Sequence, residues 1–409
     1  MARVLFVSYG GGHISMVLPV MQALRAQVPD VHVDLIALTT AYHAAKAAGE
    51  NPLQYADLMH LVGDPCAAQW GRRAPASNHP HISEAENQAY YGVNFWDLVA
   101  QLGKDKAEQR LVDQGRYGFF PLTFFKRVIA HLKPNVVVAT NSPRSEEAAL
   151  EVAISLNIPT LSMTDLFALP YDKYHHRSVY ADRVTVISEQ VKGALRASGV
   201  PESSLRVTGN AAFDGLASVK RQEQADAFLL RRGWANMTVV LWAGHADDYS
   251  STNPNMQKAT EFARQVEAAL RDWTLADESR ALIVRYHPNE IQHFPVGQSH
   301  PRIAFSYPDQ HVHEAILASN AVVVQMSTVG LEAATAGKPV VAMVNSPSCL
   351  AFGFNYQELG IAYAAQTIAD LPATLDDALI HGNCATGLRR AGNSAQLIAQ
   401  EISDLLQRR

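Results

Sequence analysis

The sequence predicts an α/β protein made of two doubly wound parallel-sheet domains. Three observations predict it. Short continuous apolar runs recur at Val4–Val7, Val33–Leu38, Val136–Ala139, Thr160–Met163 and Val184–Ile187. Such runs suit strands buried on both faces, as in a parallel sheet covered by helices. Stretches with helical apolar spacing lie between them, and strand alternating with helix marks doubly wound folds. The same alternation then restarts in the second half of the chain.

The elements follow in order. The first run leads into "GGGHISMVLPVMQAL", where Ile14–Ala26 repeats its apolar residues with helical spacing. Helical patterns recur at Phe120–Leu132, Glu146–Leu156 and Gln190–Ala197. The second set of strands is Thr238–Trp242, Leu282–Arg285, Ala321–Gln325 and Val340–Val344, with helices at Gln257–Leu270, His311–Ser319 and Leu331–Ala336. A last amphipathic stretch, Ser394–Leu406, reads as one helix. The seam lies near "RVTGNAAFDGL", Arg206–Leu216, or in the polar helix just after it. The expected organisation is a domain over 1–212, a second over 213–385, and a C-terminal helix within 386–409 free to pack back on the first domain. Residues 60–125 break the rhythm with "NQAYYGVNFWDL" and "RYGFFPLTFF". Insertions of this length are more often functional than accidental. Their rings read first as satellite core over the sheet, and alternatively as a wall or lid for a substrate.

Composition narrows the function. The chain has 409 residues, 48% hydrophobic and 18% charged, an ordinary globular balance. A net charge of -5 shows no basic field for nucleic acid. Cys66, Cys349 and Cys384 have no metal-type spacing, which fits a reducing compartment. No apolar run reaches the roughly 18 residues needed to span a bilayer. The expected location is cytoplasmic, with a peripheral contact at the inner membrane face left open.

Ligands of open parallel sheets bind beyond the carboxyl ends of the strands. Gly10, Gly11 and Gly12 sit at such an end, where bare backbone admits an acceptor or phosphate and the next helix offers free N–H groups. His13 stands at the mouth, as a base or a phosphate ligand. The bland alternative is a tight turn. The dinucleotide fingerprint is poorly met. In "RYHPNE", His287 and Pro288 follow a strand directly, and the histidine can donate to a phosphate. In "VVVQMSTVGLEAATAGKPVV", a strand ends at Gln325, Met326 follows, and Ser327 or Thr328 caps a helix. Glu332, one turn in, can accept both hydroxyls of a ribose, or merely complement the helix dipole.

These motifs resemble the GT-B glycosyltransferases. "GGGHISMVLPVMQAL" is similar to the Gly-Gly-His loop of the enzyme that adds N-acetylglucosamine to lipid-linked muramyl peptide. "VTGNAAFDGL", "RYHPNE" and the Glu332 helix look like the non-hydrolysing UDP-N-acetylglucosamine 2-epimerases, which share the fold. The His-Pro loop also resembles bacterial sialyltransferases and glycerophosphate polymerases. The resemblance implies two Rossmann-like domains facing a cleft. It implies a nucleotide-sugar donor held by the C-terminal half, with a sugar, lipid-linked or small-molecule acceptor held by the N-terminal half. The chain departs from the epimerases in several places. Their Arg-Pro-Glu loop is replaced by Gly-Gly-Gly-His, "AGHADDYSS" keeps only His245 of their His-Arg-Arg-Glu-Asn stretch, and "TNSPRSEEA" offers only Glu146 and Glu147 near their acidic catalytic positions. The departures favour transfer over epimerisation.

The expected reaction is metal-independent glycosyl transfer in bacterial glycan or glycolipid biosynthesis, with no cofactor. Charge growing on the leaving phosphate is met by the N–H groups and hydroxyls near Ser327 and Thr328, by His287 and by His245. No Asp-x-Asp run sits at a strand end, and Asp247 and Asp248 are merely adjacent. An inverting enzyme needs a base, for which His13 is the first candidate and Asp165, in "SMTDLFALP", the next; a retaining enzyme needs none. A nucleotide-sugar epimerase or hydrolase of the same fold, and a non-catalytic nucleotide-sugar-binding protein, remain as alternatives.

Overall fold

The computed structural model describes residues 2–77, 82–165, 177, 179–247, 256–288, 290–294, 297, 300–353 and 355–407. The chain divides into two compact units, one of residues 1–212 with 393–409, the other of residues 213–392. Each unit is a six-stranded sheet with helices on both faces.

In the first unit the strands are β1 (Arg3–Ser8), β2 (His32–Ala37), β3 (Val136–Thr140), β4 (Thr160–Met163), β5 (Arg183–Val186) and β6 (Leu205–Val207), in the order β2-β1-β3-β4-β5-β6. Every pairing is parallel. Side chains alternate across the sheet. Leu5, Val7, Val137 and Ala139 meet Tyr55, Trp96, Phe124 and Phe125 on one face. Val4, Phe6, Val136 and Val138 meet the helices Gly12–Gln27 and Ser394–Gln407 on the other. The last helix is tied down further, because Glu401 accepts from Arg183 at 2.9 Å and lies 3.3 Å from the Arg206 Nε.

The second unit holds β7 (Thr238–Gly244), β8 (Arg280–Tyr286), β9 (Ile303–Phe305), β10 (Ala321–Val324), β11 (Val340–Met343) and β12 (Tyr363–Ala365), in the order β12-β11-β10-β7-β8-β9, again all parallel. Residues 386–392 stay with this unit rather than with the terminal helix. Ala391 N–H donates to the Thr335 carbonyl at 3.3 Å, and Gly392 N–H to Asp214 at 2.9 Å.

Three strands have no counterpart among the apolar runs: β6, β9 and β12. Each has three residues and lies at a sheet edge, where short strands are the rule and one side lacks a partner. The expected helix Gln257–Leu270 breaks at Thr260 into Met256–Ala259 and Glu261–Leu275. The aromatic insertion is helical, with Pro65–Gly71, Glu84–Leu102 and Lys104–Gln114. Asp64 caps the first of these and also accepts from the Trp96 indole at 3.0 Å. Trp96 joins the main core, while Phe95 and Phe119 form a small second cluster. Among the described residues no helix is long and apolar enough to cross a membrane.

Candidate functional site

In each sheet the strand order reverses beside the first strand of the unit, between β1 and β3 and between β7 and β10. The crevice at the carboxyl ends of such a strand pair is where open α/β sheets take ligands. The sequence-predicted residues fall at these two places, one set in each unit.

In the first unit, β1 ends at Ser8 and the glycine loop opens the helix Gly12–Gln27. The three glycines serve three different needs. A Cβ on Gly10 would lie 1.9 Å from the Thr40 hydroxyl, so this position is closed by packing. Gly11 has φ +65°, a conformation that side chains disfavour. Only Gly12 has ordinary backbone and open space above it, with nothing within 4 Å. His13 follows, half-buried.

His13 is held by residues from neighbouring strands. Its Nδ1 lies 2.6 Å from the Thr140 hydroxyl at the end of β3. Thr140 donates to Glu146 at 2.6 Å, and the same carboxylate oxygen accepts the Tyr9 N–H at 2.6 Å. With its proton given to Glu146, the Thr140 oxygen can only accept from His13. The hydrogen then sits on Nδ1, and Nε2 carries the lone pair. Nε2 lies 3.9 Å from the Asp165 carboxylate. Asp165 is positioned in turn by Asn141, which donates to its side chain at 3.0 Å, and by Asn210, which donates to its carbonyl at 2.9 Å. Glu146 is fully buried, and burial raises its pKa against the opposing pull of His13, Thr140 and the Tyr9 N–H. The two candidate bases, His13 and Asp165, are therefore neighbours. Thr140, Asn141 and Asn210 lie in stretches the sequence singled out, "TNSPRSEEA" and "VTGNAAFDGL", but were not named as site residues, since a Thr or Asn there carries no signal until the sheet order is known.

In the second unit, β7 ends at Gly244 and is followed by His245, β8 ends at Tyr286 and is followed by His287, and β10 ends at Val324 and is followed by Gln325. His245 is buried. Its Nδ1 is 2.8 Å from the Ala246 carbonyl, and its Nε2 faces the Met326 N–H at 3.4 Å. Gln325 accepts the His245 N–H at 3.2 Å, joining the two strand ends. Desolvation lowers the His245 pKa, and the nearby His287 adds to the effect. His287 and Pro288 are exposed, and the His287 N–H donates to the Gly244 carbonyl at 3.1 Å. Glu290, buried behind the loop, accepts the Ala246 N–H at 2.7 Å. Asp247 accepts from Gln325 at 2.9 Å and from the Ser348 N–H at 3.3 Å; Asp248 lies outside the described residues.

Ser327 caps the helix Thr328–Thr335 by accepting the Val329 N–H at 3.3 Å, and its own carbonyl is held by the Tyr356 hydroxyl at 2.8 Å. Thr328 is thus the first helical residue and Ser327 the cap. Glu332 is nearly buried, with one oxygen 3.1 Å from His313 Nε2. His313 comes from the helix Val312–Leu317 and is a partner the sequence did not indicate.

No family model and no curated protein matches the chain. Solved structures do. The UDP-GlcNAc 2-epimerase from Methanocaldococcus jannaschii is 13% identical, with a TM-score of 0.61, over 98% of this chain and 99% of that one. The epimerase from Neisseria meningitidis, solved bound to UDP-GlcNAc, is 12% identical with a TM-score of 0.59, over 98% and 100%. The wall teichoic acid polymerase TagF is 12% identical with a TM-score of 0.54, over 99% and 89%. Identity this low establishes architecture alone. Its two parallel six-stranded units therefore place the chain in the GT-B fold that these epimerases and this polymerase share.

Proposed function

We propose that the protein is a nucleotide-sugar-dependent glycosyltransferase in which the second unit binds the nucleotide and the first activates the acceptor hydroxyl. The observation that carries this is the chain Glu146–Thr140–His13, which leaves the lone pair on Nε2, 3.9 Å from the Asp165 carboxylate. A base with a fixed tautomer, backed by a buried carboxylate, suits removal of a hydroxyl proton as the anomeric carbon is attacked. In the second unit, the helix Thr328–Thr335 has N–H groups and hydroxyls to meet leaving phosphate charge, with His287 exposed beside β7. The resting substrates and these side chains supply every group the step uses, with no added cofactor. The acceptor is a sugar, a lipid-linked glycan or a small molecule; a cytoplasmic location suits a nucleotide-sugar donor.

A second reading is 2-epimerisation. It draws on the names of the neighbouring structures and on Asp165, whose carboxylate gives His13 a second acid–base group at 3.9 Å. Incubating the protein with a panel of nucleotide sugars in deuterium oxide separates the two. A transferase releases nucleotide only when an acceptor is added and leaves the sugar C2–H unexchanged. Deuterium entering C2 without any acceptor, with interconversion of the sugars, overturns transfer in favour of epimerisation.

A further inference from the structure

Within the first unit, a second recess opens beside the glycine loop. It is small, with a cavity volume of about 50 Å³ below an open mouth, and Tyr9, Thr39, Glu86, Tyr90, Arg116 and Arg144 are among its walls. Neither arginine takes part in the catalytic relay, although Arg144 lies between its members Thr140 and Glu146 in sequence. Arg116 belongs to the aromatic insertion and Arg144 to the loop after β3. Arg144 lies over the Tyr9 ring at 5.5 Å and the Tyr117 ring at 5.4 Å. Arg116 donates to the Asn87 side chain at 2.9 Å. Among the described residues neither arginine has a carboxylate within ion-pair distance. Glu86 shares the recess, yet its two oxygens are turned to the Tyr55 N–H at 3.2 Å and the Ala56 N–H at 2.9 Å.

Two half-buried guanidinium groups that share one recess and face no carboxylate keep hydrogen-bond donors that an anion can take up. Stacking occupies the faces of a guanidinium and leaves its edge, with parallel N–H groups, for planar anionic oxygens. We infer that this recess binds an anionic oxygen group, a carboxylate or a phosphate, on the acceptor. The assignment rests on the reading that the first unit holds the acceptor. Tyr9 links the two places: its ring meets Arg144 and lies edge-on to His13 at 6.5 Å, while its N–H donates to Glu146. An anion at Arg144 therefore stands one aromatic ring away from the proposed base.

The test is titration calorimetry on the full chain with glucose, glucuronate and glucose 6-phosphate. These share a ring and differ in its anionic group. At least one anionic sugar should bind tenfold or more tighter than glucose; which one wins tells carboxylate from phosphate. Arg116→Gln, at the half-buried rim, and Arg144→Gln should each weaken that binding roughly tenfold, the worth of one charge-assisted hydrogen bond. Arg144→Lys, which keeps the charge and loses the fork, should fall between. UDP affinity should be the same in all variants. Absence of a preference for the anionic sugars overturns the assignment, as does wild-type binding by the double variant Arg116→Gln/Arg144→Gln. Loss of UDP binding by the wild-type protein would instead count against the nucleotide reading and leave the anion site standing.

Discussion

Thr140 shows how a single hydroxyl can decide the chemistry of its neighbour. Between Glu146 and His13 it fixes which imidazole nitrogen holds the hydrogen. Thr140→Val keeps the shape and removes the relay. The expected result is a fall in kcat of on the order of 10–10³-fold, less than the full 10²–10⁴-fold worth of a general base because His13 itself is kept, with nucleotide affinity unchanged. Steady-state kinetics with a nucleotide titration check it, and equal losses in both would mark Thr140 as merely structural. Glu86 makes a separate prediction. It is almost fully buried, and burial raises its pKa from 4.5 to about 7 despite two backbone N–H bonds. Between those values the unfolded chain ionises first while the folded protein keeps its proton. Stability from this group is therefore full below about pH 4.5 and lost as pH rises through about 7. Glu86→Gln should reduce the loss of unfolding free energy between pH 5 and pH 7.5, as read by urea denaturation at both values. His13, Asp165 and Glu332 were legible as candidates because they follow apolar runs or head a helix. Thr140, Asn210 and His313 were not, because their relevance comes from which strands and helices lie side by side.

At the scale of elements, the inner strands and the six-residue edge strand β2 were legible and the three-residue edge strands were not. A strand such as Val136–Thr140, buried along its whole length, writes a continuous apolar run. Ile303–Phe305 and Tyr363–Ala365 have only three residues each, and part of each is half-exposed, so the run never develops. The glycine loop illustrates a finer limit. Three consecutive glycines look equivalent in sequence, yet Gly10 answers to Thr40, Gly11 to its dihedral angle, and Gly12 to neither. Gly12→Val should thus leave the thermal midpoint nearly unchanged while lowering kcat/KM for the acceptor tenfold or more. Gly10→Ala should destabilise the fold instead. Thermal melts and acceptor kinetics on the pair check both; a destabilised Gly12→Val would show that this glycine too is structural.

For the whole molecule, the informative feature is that the first unit is closed by residues that follow the second. The helix Ser394–Gln407 buries Ala395, Ile398, Ala399, Ile402 and Leu405 against the face built by β1, β3 and the helix Gly12–Gln27. Its apolar spacing and its return to the first domain were both expected from the sequence; which face of that unit it covers is a matter of topology. Ile402→Ala should cost about 2–5 kcal/mol, the range for emptying a buried isoleucine site. Hydrogen exchange resolved by segment should show faster opening of β1 and β3, with β7 and β8 unaffected. The same topology sets a schedule for synthesis. Some 180 residues of the second unit leave the ribosome before the closing helix is made. At 5–20 residues per second that is roughly 10–40 s. Through that interval the nascent first unit carries Val17, Val20 and Met21 of the helix Gly12–Gln27 without their cover, and a chaperone that shields apolar surface would have its longest opportunity there.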